Sequence, residues 1–453
     1  MVSLTFYGGV DEIGGNKVLL EDGDTKVFFD FGQSFTMGRD FFTGWLSPRG
    51  INGLGDYFEF GLLPKLKGLY AKEQLQFTDI PYVKPRFDAV FLSHAHFDHV
   101  SHIQFLDPEI PVYLGVGTKL FLEAMEKTSS FCSYGEHRYQ TFRTGNEIRV
   151  GNIVVEPVHV DHSIPAAYGF LLHTSEGTIV YTGDFRTHGP RKDMTEEFAE
   201  RASQSEPVAI VCEGTRMVEK EKRKNYSERQ VEKLSEKVVS STDKIVFVTR
   251  YSRDMDRFRS FYDVAKSNDR KIVVSPKTAH LLGRLVDDRR LDLPDPLKDE
   301  DILVYYKRKR SGCFDDKDYY VWERDFMDKD KMVTYKFVHE NQSGLIMDLD
   351  FYQFAELIDI KPDSGSHFIH SMSEPFSEED IEDQVMRNWL DHFNMKPPHQ
   401  FHASGHMNRQ EITDLIKYVN PKRIFPIHTE NQKLFKKNFK NVQTTECGRK
   451  YKL

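Results

Sequence analysis

The chain has 453 residues, 39% of them hydrophobic and 29% charged, with 62 basic against 70 acidic side chains for a formal net charge of -8. That is the composition of water-soluble globular domains, about three by length alone, and no run approaches the roughly 18 apolar residues of a membrane span, so a helical membrane protein is excluded. Bulk charge gives no support for nucleic-acid binding; positive charge for a polyanion must be local.

The N-terminal stretch Met1 to Tyr7 enters a strand pattern directly, without a basic and then apolar leader, so no secretory signal is expected. Cys132, Cys212, Cys313 and Cys447 lie far apart and form no CxxC pair. A reducing compartment, the cytoplasm, is the expected location.

Alternating apolar positions between Gly-rich turns predict strands near 2–7, 16–21 and 25–31, an antiparallel opening. Residues 33–86 show no sustained periodicity and read as a loop-rich flap. A buried strand over 87–92 then delivers the chain into Ser93-His94-Ala95-His96-Phe97-Asp98-His99. A helix is predicted at 117–127 and strands at 153–160, 168–173 and 178–182, the last ending at Gly183-Asp184-Phe185. The stretch 186–206 is polar and without a predicted element. From there the rhythm becomes strand 207–212, helix 227–240, strand 244–249, helix 254–267, strand 271–274 and helix 277–290, the alternation of a parallel α/β unit. It continues less clearly through 298–332 to a strand at 366–370 and a helix at 377–394. A strand at 401–403, a helix at 408–419 and a strand at 422–427, ending in His428, close the pattern.

The densest chemistry is His94-Ala-His96-Phe-Asp98-His99, three imidazoles and a carboxylate within six residues at the end of a strand. Strand alternation directs 94, 96 and 98 together while His99 points differently, which suits two adjacent metal ions. Imidazole and carboxylate without thiolate is a donor mix for Zn or Mn rather than for a Cys-rich structural zinc site.

HxHxDH after a buried strand resembles the signature of the metallo-β-lactamase fold. The flanking motifs are similar to those of its nucleic-acid-processing branch, the β-CASP proteins, and most of all to ribonuclease J of the archaeal type. The resemblance runs from Gly8-Gly9-Val10-Asp11-Glu12-Ile13-Gly14-Gly15-Asn16 through Phe29-Asp30-Phe31-Gly32, the HxHxDH run, His162-Ser163-Ile164-Pro165 and Gly183-Asp184-Phe185 to Ser404-Gly405-His406 and Pro426-Ile427-His428. It implies an αββα sandwich formed by 1–205 and 390–453, interrupted by a β-CASP α/β domain at 206–389. One divalent ion would be held by His94, His96 and His162, the other by Asp98, His99 and His428, with Asp184 bridging them. His159 competes for the third-motif position, but the spacing of His162 to Asp184 matches the family. Asp30 would hold and orient the ligands.

The same resemblance assigns Glu213 and His406 to a general-acid pair, since a neighbouring carboxylate favours the imidazolium that donates to a leaving oxygen. Asp98 would orient the attacking water. Substrate contacts would come from Arg253, His402, Ser404 and Gly405, with Arg216, Arg250, His367, His370, Ser371 and Ser373 as further candidates. The basic run Lys307 to Arg310 is flanked by acidic residues and reads as a charged surface face, and the tyrosines at 305, 306, 319 and 320 are a weak stacking signal. Two departures stand out. Val100-Ser101-His102 replaces the small residues usual after the motif, and only 25 residues follow His428, so oligomerisation through a separate C-terminal domain is not expected, although a homodimer is compatible with the family.

The implied activity is metal-dependent hydrolysis of single-stranded RNA, 5'-to-3' with preference for a 5'-monophosphate end. The alternatives are an endonuclease of RNA 3'-end processing, a non-catalytic RNA-binding subunit, and a small-molecule hydrolase on the same core; DNA is a further candidate substrate.

Overall fold

A computed structural model of the chain describes residues 1–36, 38, 41–42, 46–221, 224–327, 330–373 and 381–453. The first sheet has the order Lys450–Lys452, Val2–Phe6, Val18–Asp22, Thr25–Phe29, Ala89–Leu92, Val112–Gly115, Tyr139–Phe142. The left-handed Gly23 (φ 61°) closes the tight hairpin in which Asp22 pairs with Thr25. From Thr25–Phe29 onward the pairs are parallel. The second sheet has the order Ile424–Ile427, Ala209–Glu213, Gly177–Tyr181, Ala167–Thr174, Ile153–Val160, Ile148–Val150.

Inner-face residues of both sheets, among them Val2, Leu4, Phe6, Phe29, Phe91, Phe170, Ile179 and Phe425, bury one another in a common core. Helices cover the outer faces: Val116–Thr128 over the first sheet, Lys192–Gln204 and Arg409–Val419 over the second. The sandwich is of the αββα type, as the motifs implied.

A third sheet, parallel throughout, has the order Met332–Val333, Ile302–Tyr305, Lys271–Val274, Leu345–Asp348, Val246–Thr249, His367–His370, His399–Gln400. Helices Glu228–Ser240, Met255–Ser267 and Pro276–Leu285 alternate with its strands. Pro276 sits in the first turn and Ser275 accepts from the backbone N–H of Thr278. That helix stops at Leu285, short of the expected 290, where Asp288 caps a separate short turn over Arg289–Leu291.

Several expectations move. Ala209–Glu213, expected to open the insert, pairs in parallel with Gly177–Tyr181 and Ile424–Ile427 and so belongs to the sandwich. His399–Gln400, expected after the insert, is an edge strand of the third sheet, and 401–403 forms no strand. We therefore place the insert at about 218–400 instead of 206–389. The stretch 186–206 contains the helix Lys192–Gln204, anchored by Thr195, Phe198, Ala199 and Ala202 at i, i+3, i+4 and i+7. Residues 33–86, read as a loop-rich flap, carry only the short helical turns Gly50–Asn52, Gly55–Glu59 and Lys72–Leu75 among the described residues, and Leu54, Phe58, Leu63, Leu69, Tyr70 and Leu75 bury in one cluster with Phe28, Phe31 and Val90. The helix expected at 377–394 is seen as Ile381–His392; positions 377–380 lie outside the described residues. Among the described residues no helix is long and apolar enough to cross a membrane.

Candidate metal centre

Every candidate ligand follows the end of a strand, and these strands run the same way. Gly177–Tyr181, Ala209–Glu213 and Ile424–Ile427 are parallel neighbours, and beyond their carboxyl ends come Asp184, the terminal residue Glu213 itself, and His428. Ile153–Val160, two antiparallel pairings away and hence co-directional, leads to His162. Across the sandwich, the parallel pair Thr25–Phe29 and Ala89–Leu92 delivers Asp30 and the 94–99 motif. The site lies where the carboxyl ends of strands from both sheets converge, the usual edge for chemistry in open α/β sheets. Asp30 (φ 56°) and His428 (φ 54°) both adopt the left-handed conformation, which turns each side chain inward as its strand ends. Such a conformation costs an L-residue about 1–2 kcal/mol, opposed at His428 by a 2.7 Å hydrogen bond from its N–H to the Gly9 carbonyl.

Three overlapping groups result: His94, His96, His162 and Asp184; Asp98, His99, Asp184 and His428; Asp184, Glu213 and His406, with the ligand atoms in each group lying within 4.8 Å of one another. Nδ1 of His96 lies 3.0 Å from Nε2 of both His94 and His162. His99 Nε2 lies 3.1 Å and His428 Nε2 3.7 Å from the same Asp184 oxygen, and His428 Nε2 is 2.9 Å from Asp98. The other Asp184 oxygen is buried with no hydrogen-bond partner. Converging imidazole nitrogens and an orphaned carboxylate oxygen between them are what divalent cations would satisfy, so the donor set fits two such ions.

Electrostatics separate the two groups. Burial, then the neighbouring imidazoles, hold His94 well below the usual histidine range, and burial brings His96 to about 3. His162 is likewise held well below its usual value by burial and then by His96. Burial works against charge at His99 and His428 too, but Asp184 and the other carboxylates outweigh it: His99 is held well above its usual value and His428 is raised to about 9. Asp184 is itself driven well below the carboxylate range, the imidazoles of His428, His99 and His406 overcoming its burial.

Outer contacts fix the rings. Asp30, fully buried, accepts from Nδ1 of His99 (2.7 Å), the N–H and hydroxyl of Ser93 (2.7 and 2.8 Å) and the hydroxyl of Tyr181 (2.6 Å). A carboxylate can only accept, so His99 carries its proton on Nδ1 and turns Nε2 to the centre. The Gly405 carbonyl accepts from Nδ1 of His162 at 2.5 Å, and Thr215 Oγ1 lies 2.7 Å from Nδ1 of His428. Ser93, Tyr181 and Thr215 were not singled out in the sequence. Neither was Arg186, fully buried two residues after Asp184, which donates to Asp161 (3.0 Å), Asp256 (2.6 Å) and the Ser404 carbonyl (3.2 Å), joining sandwich, insert and the 404–406 loop. A buried Arg in Gly-Asp-Phe-Arg is invisible until its partners, distant in sequence, are known.

The remaining sequence candidates divide. His406 Nδ1 lies 3.0 Å from Glu213 and 3.9 Å from Asp184, at the exposed margin of the centre. Arg253 donates to the Ala95 carbonyl at 2.9 Å within the motif loop and is half-buried. Ser404 Oγ accepts from the His406 N–H at 3.2 Å. For His402, burial and then Arg257 bring the ring to about 3, and its Nδ1 lies 3.3 Å from the Ser371 carbonyl. Arg250 is buried in an ion pair with Asp348 at 2.8 Å, and His367 stacks on His399; neither belongs to the centre. His159 stacks on Tyr168, outside all three groups. Lys309 pairs with Glu323, Arg308 with Asp359, and Arg310 donates to the Lys317 carbonyl, a self-satisfied surface face. The unusual His102 is fully buried against Tyr57 and Phe105; the 33–86 segment supplies Tyr57 and so accommodates the larger side chain.

Comparison with known proteins agrees with this architecture. Residues 69–217 match the β-lactamase superfamily domain and residues 392–444 the Zn-dependent metallo-hydrolase RNA specificity domain. Ribonuclease J of Sinorhizobium meliloti is 27% identical over 81% of this chain and 62% of its own length. Ribonuclease J of Helicobacter pylori is 23% identical (95% and 56%), and that of Thermus thermophilus 26% identical (76% and 58%). The chain thus spans about three fifths of the length of the curated relatives it matches. A crystal structure of a protein of unknown function from Enterococcus faecalis superposes with a TM-score of 0.76 at 23% identity, covering the whole of both chains, and has the same fold. The chain is similar to the metallo-β-lactamase superfamily over residues 69–217 and resembles the ribonuclease J proteins of its β-CASP branch.

Proposed function

We propose that the protein is a ribonuclease that hydrolyses phosphodiester bonds of single-stranded RNA with two divalent ions, Zn or Mn, as a 5'-to-3' exonuclease preferring a 5'-monophosphate end. The observation that carries this reading is the sharing of one carboxylate, Asp184, by two groups of candidate ligands and by the Glu213–His406 pair. His94, His96 and His162 would hold one ion, Asp98, His99 and His428 the other, with Asp184 between them. Ions bound there supply an activated water at neutral pH and neutralise charge on the phosphoryl oxygens.

The chain's own residues do the rest. Asp98, buried and paired with His428, is placed to orient the attacking water. His406, set beside Glu213 and partly exposed, donates a proton to the leaving oxygen, with Glu213 holding the ring. Arg253 donates one N–H to the Ala95 carbonyl and another to Cys132 Sγ at 3.9 Å, and its remaining N–H groups would meet a phosphate, while Ser404 and Gly405 bring the backbone close. Four free cysteines fit a reducing compartment, and we place the reaction in the cytoplasm.

The test is a time course on 3'-labelled, 5'-monophosphorylated single-stranded RNA with Mn or Zn, with matched DNA and a His99→Ala control. Mononucleotides released from the 5' end, and lost in the variant, are the expected result. Discrete internal fragments would favour the endonuclease, and no metal-dependent cleavage would overturn the assignment.

A further inference from the structure

Charge is unevenly distributed along the chain. Residues 409–453 hold 11 basic against 4 acidic side chains, a surplus of seven, while residues 1–408 hold 51 against 66, a deficit of 15. The local positive charge that the bulk composition withholds is therefore concentrated in the last tenth of the chain.

The fold gathers part of it into a ridge. Lys433, Lys436 and Lys437, at i, i+3 and i+4, share one face of the helix Gln432–Asn438, and Lys440 follows two residues past its end, after the extended Phe439. All four are exposed, whereas Leu434 and Phe435 are buried. Phe435 packs on Gly214 so tightly that a Cβ there would lie 2.6 Å from its ring, and Gly214 is the link between Glu213 and Thr215. The lysine-bearing helix thus backs directly on the turn that presents Glu213 to His406. Arg409, three residues beyond His406, reaches the same helix through Asn438 at 3.4 Å. Lys437 pairs with the exposed Glu219. Lys433, Lys436 and Lys440 make no ion pair among the described residues.

We propose that Lys433, Lys436 and Lys440 form a phosphate-binding ridge that holds single-stranded nucleic acid outside the cleavage site, on the His406 side. The proposal rests on the nucleic-acid reading above and extends it to a second contact region. Compact ammonium groups without fixed partners bind phosphates as point charges and release counterions, whatever the base sequence. A basic ridge on an otherwise acidic chain also steers a polyanion toward itself.

The test compares the wild type with the K433Q/K436Q/K440Q variant, whose exposed substitutions leave the core intact. Binding of nuclease-resistant 2'-O-methyl RNA, of about 30 nucleotides and of about 5, is followed against salt. At about 0.7 in the log–log salt slope per phosphate contact, loss of three contacts lowers the slope for the long strand by about 2 and weakens it about tenfold or more at low salt. Binding and cleavage of the short strand stay unchanged. An unchanged slope and affinity for the long strand would overturn the ridge, as would an equal loss for the short one. Wild-type binding to phosphatidylserine vesicles that the variant loses, with RNA binding intact, would overturn it in favour of a membrane surface. Failure of the wild type to cleave the short unmodified RNA would count against the nuclease reading alone, because the ridge is read from binding.

Discussion

The main-chain carbonyl of Gly405 accepts a 2.5 Å hydrogen bond from Nδ1 of His162, two residues 243 positions apart. The bond fixes the tautomer that turns Nε2 toward His96, and it demands a residue without a side chain: a Cβ on Gly405 would lie 2.8 Å from Cε1 of His162. Gly405→Ala should therefore tilt the ring and lower affinity for the ion at His94, His96 and His162 by about 10–100-fold, the usual effect of disturbing a ligand's outer contact. Metal titration checks this, with thermal unfolding of the metal-free protein expected to move little.

Much of this site was legible in the sequence because its residues sit in short motifs at strand ends, where side-chain identity alone specifies the chemistry. His94 to His99, Asp184, Glu213 and His428 fall together for that reason. What escaped depends on partners far away in the chain. Arg186 is one more arginine until Asp161, Asp256 and the Ser404 carbonyl close around it, and Ser93 and Thr215 are ordinary polar residues until Asp30 and His428 are placed. The helix Lys192–Gln204 was missed for another reason: its apolar stripe is only Thr195, Phe198, Ala199 and Ala202, a periodicity submerged in charged residues. Strands Ile302–Tyr305 and Leu345–Asp348 are no shorter than Lys271–Val274, which the sequence shows, but they lie where the strand–helix alternation that marks the latter gives way to short 3-10 turns.

Asp30 accepts four hydrogen bonds in a fully buried position, and one of its donors is His99. In Asp30→Asn an amide N–H₂ replaces one acceptor, so at least one donor among Ser93, Tyr181 and His99 is left facing another donor. Affinity for the ion at Asp98, His99 and His428 should fall about 10–100-fold while the His94 group is less affected. Metal content after dialysis at a fixed free-metal concentration separates this from unfolding, which circular dichroism would report.

The two halves of the centre should load differently with pH. His96, at about 3, is neutral and ready to ligate across the physiological range, whereas His428, at about 9, holds a proton that a metal ion must displace. Affinity at the first group should be flat from pH 6.5 to 9, and affinity at the second should rise with pH, releasing protons. The linked stability of the metal-free protein follows by sign. His428, raised from 6.5, stabilises fully below 6.5 and loses its contribution as pH rises through about 9; His96, lowered from 6.5, contributes above 6.5 and loses it as pH falls toward 3. Calorimetric titration in buffers of different ionisation enthalpy counts the protons, and a second site that fills without releasing any would refute the assignment.

Arg186 is wholly buried and neutralises Asp161 and Asp256 where sandwich and insert meet. Arg186→Met keeps the volume but strands two buried carboxylates, so a loss of about 3–5 kcal/mol in denaturant unfolding is expected. Burial already raises Asp161 and Asp256, and without the arginine both rise further. A raised carboxyl loses stability as pH rises, so the deficit of the variant should shrink on acidification. A deficit that is the same at pH 5 and pH 8 would mean the carboxylates are not what the arginine serves.

Glu213 and His406 are the residues whose substitution should separate chemistry from metal binding. They share Asp184 as a neighbour, but His406 lies on the open margin: its side chain is 19% exposed where those of His94, His99 and His428 are at most 1%. If His406 donates the proton to the leaving oxygen, His406→Ala should lower the cleavage rate by about 10²–10⁴-fold while both ions are retained, since a positioned general acid contributes on that order. Glu213→Gln keeps the shape of the partner and removes its charge; the expected loss is smaller and falls on the cleavage rate rather than on RNA affinity. A substrate with an activated leaving group, which needs no proton, should restore most of the His406→Ala rate. Equal impairment on both substrates, or loss of metal with the imidazole, would make His406 a ligand instead of an acid.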